Sequence, residues 1–206
     1  MRIRWRLLGA MALVSAASPA SRLEAQERAD SLHSKILDEQ RFLQVYLPAG
    51  YDSSAARKYD VVYVLDGEML ARFLPPIAAF EESNELMPPV IVVGIKNAFV
   101  PSVGQSSRER DLLPAHVEDS PLSGGADTFA KFLKDELIPF IARRYRTSGT
   151  NILFGHSYGG LFTVYLLLTQ PTRSEPAQCA RADCLRPPGV PAGGEGGLLH
   201  LPPRSG

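Results

Sequence analysis

Asn151-Ile152-Leu153-Phe154-Gly155-His156-Ser157-Tyr158-Gly159-Gly160-Leu161-Phe162 is the stretch that decides the fold. Residues 151–154 form a short apolar run of the kind a buried strand uses. Residues 160–169 (GLFTVYLLLT) form a longer one that suits a helix, closed by Pro171. Between them lies G-x-S-x-G, so the spacing predicts a strand, a tight turn carrying Ser157 and a helix opening at that turn. The flanking glycines answer a mechanical need, because the serine sits at a strained backbone angle and a Cβ on its neighbours would collide with the turn. A serine presented this way is a candidate nucleophile. The backbone N–H of Tyr158, at the positive end of the following helix, is a candidate donor to a developing oxyanion.

Upstream, residues 41–47 (RFLQVYL) read as a strand ended by Pro48-Ala49-Gly50-Tyr51, and residues 61–65 as a second strand. The second is apolar on both faces, as a central parallel strand covered on each side would be. Residues 90–94 (VIVVG) repeat that character after a short intervening helix. Phe129, Phe132, Leu133, Leu137, Phe140 and Ile141 recur at helical spacing, which predicts an amphipathic helix capped by Asp127, with Pro139 kinking it or marking its last turn. Strands alternating with helices give an α/β fold with a mostly parallel sheet and helices on both faces.

The two ends differ from this body. Three arginines within residues 1–6, an apolar run over 7–17 and the small residues Ser18-Pro19-Ala20 describe an export signal. The run is too short for the roughly 20 residues of a membrane span. The expected organisation is a signal peptide at 1–25, an α/β domain at 26–171 and a tail at 172–206, in a protein exported to the periplasm or secreted. The tail holds no Phe, Tyr, Trp, Ile or Lys and is crowded with Pro, Gly, Arg and Ala, a composition expected to stay disordered. A formal net charge of zero gives no case for nucleic acid. The two cysteines, Cys179 and Cys184, could pair, but without a nearby histidine they are poor evidence for a metal. No metal or cofactor is implied, no membrane association is expected after signal removal, and the oligomeric state is not legible.

Several further segments occur in order: Tyr46-Leu47-Pro48-Ala49-Gly50-Tyr51, Val64-Leu65-Asp66-Gly67-Glu68, Gly94-Ile95-Lys96-Asn97, Arg108-Glu109-Arg110-Asp111-Leu112, Gly124-Gly125-Ala126-Asp127 and Glu136-Leu137-Ile138-Pro139. With the serine motif they make the chain, over residues 39–170, resemble the putative-esterase branch of the α/β-hydrolases, and above all its siderophore-esterase-like members. The resemblance implies a serine carboxylic-ester hydrolase acting through an acyl-enzyme on Ser157, on small or siderophore-like esters. It adds the backbone N–H of Glu68 as the second oxyanion donor. Arg108 and Arg110 are candidate anchors for an anionic substrate, although a solvated loop cluster explains them equally well. Asp66, ahead of Gly67 at a strand end, reads as a turn former rather than a catalytic acid.

The general base is the open question. In this fold the acid and the histidine follow the serine, and downstream of Ser157 the one histidine is His200, with Asp183 or Glu195 as a nominal acid, within a stretch that cannot hold them in place. His156 reads as a structural residue of the turn, His33 precedes the strand at 41–47, and His116 reads as an exposed loop residue. The resemblance stops at Gln170-Pro171, as an incomplete α/β-hydrolase fold would, and a frameshift near that point is one explanation. The chain as written is expected to hydrolyse p-nitrophenyl acetate no faster than its Ser157→Ala variant. A non-catalytic binding remnant and an acyltransferase of the same fold stay open beside the esterase.

Overall fold

Two apolar hexads, Tyr59–Val64 (β3, with β1 and β2 preceding it as Gln26–Ser34 and Glu39–Leu47) and Val90–Ile95 (β4), lie side by side in parallel at the centre of the sheet. All six residues of β4 are buried, as expected of a strand covered on both faces. The computed structural model describes residues 25–53 and 56–169. The expected export signal up to residue 24, the tail, both cysteines, Asp183, Glu195 and His200 therefore lie outside the described residues.

The remaining elements follow in chain order. After β3 come α1 (Gly67–Leu70), a 3₁₀ turn and α2 (Leu74–Ser83). After β4 comes a small hairpin of β5 (Phe99–Val100) and β6 (Gln105–Ser106), then α3 (Arg108–Leu112). The chain continues through α4 (Ala126–Phe132), a π-helical turn at Leu133–Leu137 and α5 (Ile138–Arg144) to β7 (Thr147–Phe154) and α6 (Tyr158–Thr169). The main sheet has the order β1-β2-β4-β3-β7. β2 runs antiparallel to both its neighbours, while β4, β3 and β7 are mutually parallel, so four of the five strands share one direction.

Each face of the sheet has its own core. Leu43, Val45, Val61, Tyr63, Ile91 and Val93 face a layer built from Phe129, Phe132, Leu137, Ile141 and Phe162, which come from α4, the π-turn, α5 and α6. Tyr46, Val62, Val64, Val90 and Val92 face the other way, toward Ala71, Leu74 and Ala78. The alternation along β3 (Val61 and Tyr63 one way, Val62 and Val64 the other) is the period of two that a doubly covered strand shows. Among the described residues β7 has β3 as its single neighbour, and α6 leaves Leu161, Val164 and Leu168 exposed.

Four sequence expectations change. The first strand is β1, which pairs in register with β2 from Gln26↔Leu47 to Ser34↔Glu39, so His33 lies within a strand rather than ahead of the first one. Its sequence, QERADSLHS, has no apolar alternation because it is an edge strand with mostly exposed, polar side chains. β7 begins at Thr147, four residues earlier than its apolar part. Asp127 does not cap α4, which starts one residue before it at Ala126; its carboxylate accepts a 2.6 Å hydrogen bond from the Tyr165 hydroxyl of α6.

The fourth concerns Pro139, which does not mark the last turn of its helix. A proline lacks the N–H that would bond the carbonyl four residues back, and its ring crowds that carbonyl. The π-turn just before it widens the helix by one residue and lets α5 continue to Arg144. That same turn carries Glu136, whose carboxylate accepts from Ser34 Oγ at 2.5 Å and from the Lys35 and Ile36 N–H groups, closing the β1–β2 hairpin.

β1 is also tied to the end of α5. Asp30 accepts from Arg144 Nε at 2.9 Å and from the Tyr145 hydroxyl at 3.1 Å. Burial, then the charge and hydrogen bond of Asp30, push the Tyr145 phenol up to about 12. The unfolded chain releases this proton near the ordinary tyrosine value of 10. Between those values the folded state holds the proton that the unfolded state has lost, so stability falls as pH rises. Urea titrations from pH 9 to 12 are expected to show this alkaline loss, with a shallower slope in Tyr145→Phe. An identical slope in the variant would show that the phenol contributes nothing.

Candidate active site

β3 and β7 stay paired to Val64↔Phe154, and the Leu65 N–H still donates to the Phe154 carbonyl at 2.9 Å. Just beyond that point both chains turn sharply. Asp66 has φ 52° and Ser157 φ 57°, two non-glycine residues in the left-handed region at the ends of adjacent parallel strands. Such conformations cost of order 1–3 kcal/mol each and persist only where the surroundings impose them.

At Ser157 the constraint is the packing of the turn on itself. An added Cβ on Gly155 would lie 2.3 Å from the carbonyl carbon and oxygen of Gly159, so the two backbones touch directly. The Gly159 N–H donates to the His156 carbonyl at 2.9 Å, and the Leu161 N–H to the Ser157 carbonyl at 2.9 Å, which starts α6 at once. Ser157 and Tyr158 are exposed.

At Asp66 the turn opens α1, with Met69 and Leu70 donating to the Asp66 carbonyl. Gly67 lies against β4: a Cβ there would meet Gly94 C and Ile95 N at 2.5 Å. The Glu68 and Tyr158 N–H groups thus belong to the first turns of two helices, where a helix has no carbonyl of its own for them.

The side chains around this pair were only partly legible. Asp66, 3% exposed, receives Arg108 through Nε (2.7 Å to Oδ1) and Nη2 (2.9 Å to Oδ2), and Asn97 Nδ2 at 2.8 Å. Asn97 also donates to both carboxylate oxygens of Glu68, from Nδ2 at 2.8 Å and from its N–H at 3.2 Å. The Arg108 guanidinium carbon stands 4.9 Å from the Tyr158 ring centroid. Hydrogen bonding to Asp66 raises the Arg108 pKa, burial opposes it, and the Asp66 charge adds to the rise. Asn97 was visible as a motif residue, but no sequence signal gave it a partner.

Arg110 points elsewhere. Its Nε donates to Asp111 at 2.8 Å and its Nη atoms to Glu39 at 2.6 and 3.0 Å. Burial disfavours the Glu39 carboxylate, yet hydrogen bonds and charge from Arg110 and Arg41 prevail and hold its pKa below the usual range. Arg41, missed by the sequence, lies 1% exposed on β2, its guanidinium carbon 5.3 and 5.6 Å from the ring centroids of the stacked Phe129 and Phe132, and donates to Asp111 at 2.7 Å.

Among the described residues no histidine is hydrogen-bonded to the Ser157 hydroxyl. His156 and His116 are exposed, and His33 lies 4.0 Å from Asp38 on the β1–β2 hairpin. No group of residues suited to a metal occurs among them either. A concavity lined by Tyr46, Pro75, Ala78, Glu82 and Val92 sits beneath α2 and includes no residue of the serine turn.

A strained serine between a parallel strand and a helix, with a second helix start beside it at the end of the neighbouring strand, defines an α/β-hydrolase-type fold. Residues 34–179 match the family described as Putative esterase, and the chain belongs to that family.

Among curated proteins it is 29% identical over 150 residues to the ferri-bacillibactin esterase BesA of Bacillus subtilis, covering 65% of this chain and 51% of that one. It is 32% identical over 136 residues to the siderophore enterobactin esterase of Emericella nidulans, covering 58% and 44%. The chain thus spans about half the length of these relatives. Among solved structures, an IroE-like serine hydrolase from Shewanella oneidensis superposes with a TM-score of 0.63 at 34% identity, over 71% of this chain and 47% of that one. The siderophore hydrolase EstA from Aspergillus nidulans gives 0.59 at 27%, over 81% and 58%. No helix among the described residues is long and apolar enough to cross a membrane.

Proposed function

We propose that the protein is an exported serine carboxylic-ester hydrolase acting on small or siderophore-like esters. The observation that carries this reading is Ser157 at φ 57°, fixed by the Gly155–Gly159 contact beside a second turn of the same kind. Ser157 Oγ attacks the ester carbonyl and expels the alcohol, and water then releases the acid from the acyl-enzyme. The N–H groups of Tyr158 and Glu68 receive the oxyanion in both steps. Removing one such donor typically costs 10²–10³ in rate. The substrate class is supported by the relatives named for siderophore esters.

As a substrate anchor, Arg108 would act beside the serine through charge while keeping its fork on Asp66; Arg110 would have to release Glu39 and Asp111 first. If the chain supplies a base to Ser157, Ser157→Ala lowers kcat/KM on p-nitrophenyl acetate by about 10³ or more, since the variant keeps binding and loses the nucleophile; without one, the two rates are equal, as expected from the sequence. A second reading, a non-catalytic binding protein, has one observation in its favour: no described histidine is hydrogen-bonded to Ser157. Equal rates for the two proteins would remove Ser157-dependent hydrolysis from this chain, while a Ser157-dependent excess would make His200 and His116 the first bases to replace.

A further inference from the structure

The two oxyanion donors of the proposed reaction belong to separate stretches of backbone, one after β3 and one after β7. Their relative position is therefore fixed by tertiary contacts, not by local geometry. Main-chain pairing between the strands ends at Leu65 and Phe154, before either turn begins. Beyond it, Asp66 Oδ2 stands 3.7 Å from where a Cβ on Gly159 would lie, and Arg108, the first residue of α3, touches both turns from a third element. It grips Asp66 with two parallel hydrogen bonds and lays its guanidinium over the Tyr158 ring at 4.9 Å.

We infer that Arg108 is a positioning residue that clamps the Asp66-Gly67-Glu68 turn to the Ser157-Tyr158 turn and neutralises the Asp66 carboxylate beside them. The inference rests on the hydrolase reading for its catalytic consequence, though not for its geometry. Two physical reasons support it. First, a fork on a carboxylate fixes direction as well as distance, which a single ammonium contact cannot do. Asn97 completes the grip by holding Asp66 and Glu68 together. Second, Asp66 is almost fully buried, two residues before Glu68 and with its Oδ2 close to Gly159 of the serine turn. An unneutralised charge there would oppose the negative charge that develops on the substrate oxygen, in surroundings where screening is weak.

The test uses the full chain with Arg108→Gln, Arg108→Lys and Asp66→Asn. Asp66→Asn removes the ion pair without stranding a buried charge, so it decides the matter if Arg108→Gln does not fold. In ¹H–¹⁵N spectra the amides of both Glu68 and Tyr158 are expected to shift and to exchange at least about tenfold faster in Arg108→Gln and Asp66→Asn, with those of Val92 and Val93 in β4 unchanged. Phosphonylation of Ser157 by a fluorophosphonate, which displaces fluoride, is expected to slow roughly 10–100-fold in its maximal rate with the same half-saturation, since a displaced donor loses less than a deleted one. Arg108→Lys is expected to recover part of the rate by restoring the charge without the fork. Unmoved Glu68 or Tyr158 amides overturn the clamp, whatever the labelling rate. Moved amides in a protein whose Ser157 does not react with the probe uphold the clamp and remove the hydrolase reading.

Discussion

Gly155→Ala is expected to destabilise the protein by about 3 kcal/mol or more, while Gly160→Ala, five residues on, is expected to stabilise it. The first places a methyl group 2.3 Å from backbone atoms of Gly159, and those atoms cannot swing aside as the end of a side chain could. The strand end and the helix start must separate by about 1 Å, an overpacking effect at the upper end of its usual range. At Gly160 the nearest atom to an added Cβ is the Gly155 carbonyl oxygen at 3.5 Å, an ordinary contact. There the change replaces glycine within α6, worth roughly 1 kcal/mol in favour of the helix. Urea unfolding of the two variants with unchanged m-values would measure both signs. A Gly155→Ala protein as stable as its parent would mean that the turn is not packed as described.

The second large effect belongs to Arg41. Its replacement by methionine is expected to cost about 3–5 kcal/mol, because Asp111, itself 1% exposed, loses its closest cation while remaining buried. Arg110 and Ser107 still reach Asp111, which keeps the loss within that range. The double variant Arg41→Met/Asp111→Leu is expected to recover most of the deficit, since an apolar pair asks for no compensating charge. Additive losses in the double variant would show that the two residues act independently. The lowered pKa of Glu39 adds an acid limb: its stabilisation is complete above the ordinary glutamate value and fades as pH falls through the folded-state value below it.

These two effects differ in how far the sequence foretold them. The serine turn was legible because its requirement is local. Two glycines, a serine and apolar runs on either side already state that backbones touch and a helix begins. β3 and β4 were legible for a similar reason, being apolar on both faces. β1 was not, since an edge strand keeps polar side chains on its open side and carries no period that distinguishes it from a loop. Pro139 did signal a disturbance in its helix, but the widened turn that absorbs it depends on where Glu136 must reach.

Arg108 and Arg110 could be seen only as a basic cluster. Their partners Asp66 and Glu39 lie 42 and 71 residues away, and no spacing rule connects charges across such distances. Arg41 was hidden among the residues of an ordinary strand for the same reason.

The sheet order carries a consequence for how the molecule assembles. β1 and β2 form a hairpin from adjacent segments and can close early, whereas β3 must wait for β7 from the far end of the described chain. Parallel pairings between distant segments are the slow contacts of a fold, because the loop between them must be ordered before any bond rewards it. The two strained turns sit at the ends of that last pairing. Mild denaturation is therefore expected to release the two strained turns before it disturbs the bulk of the secondary structure.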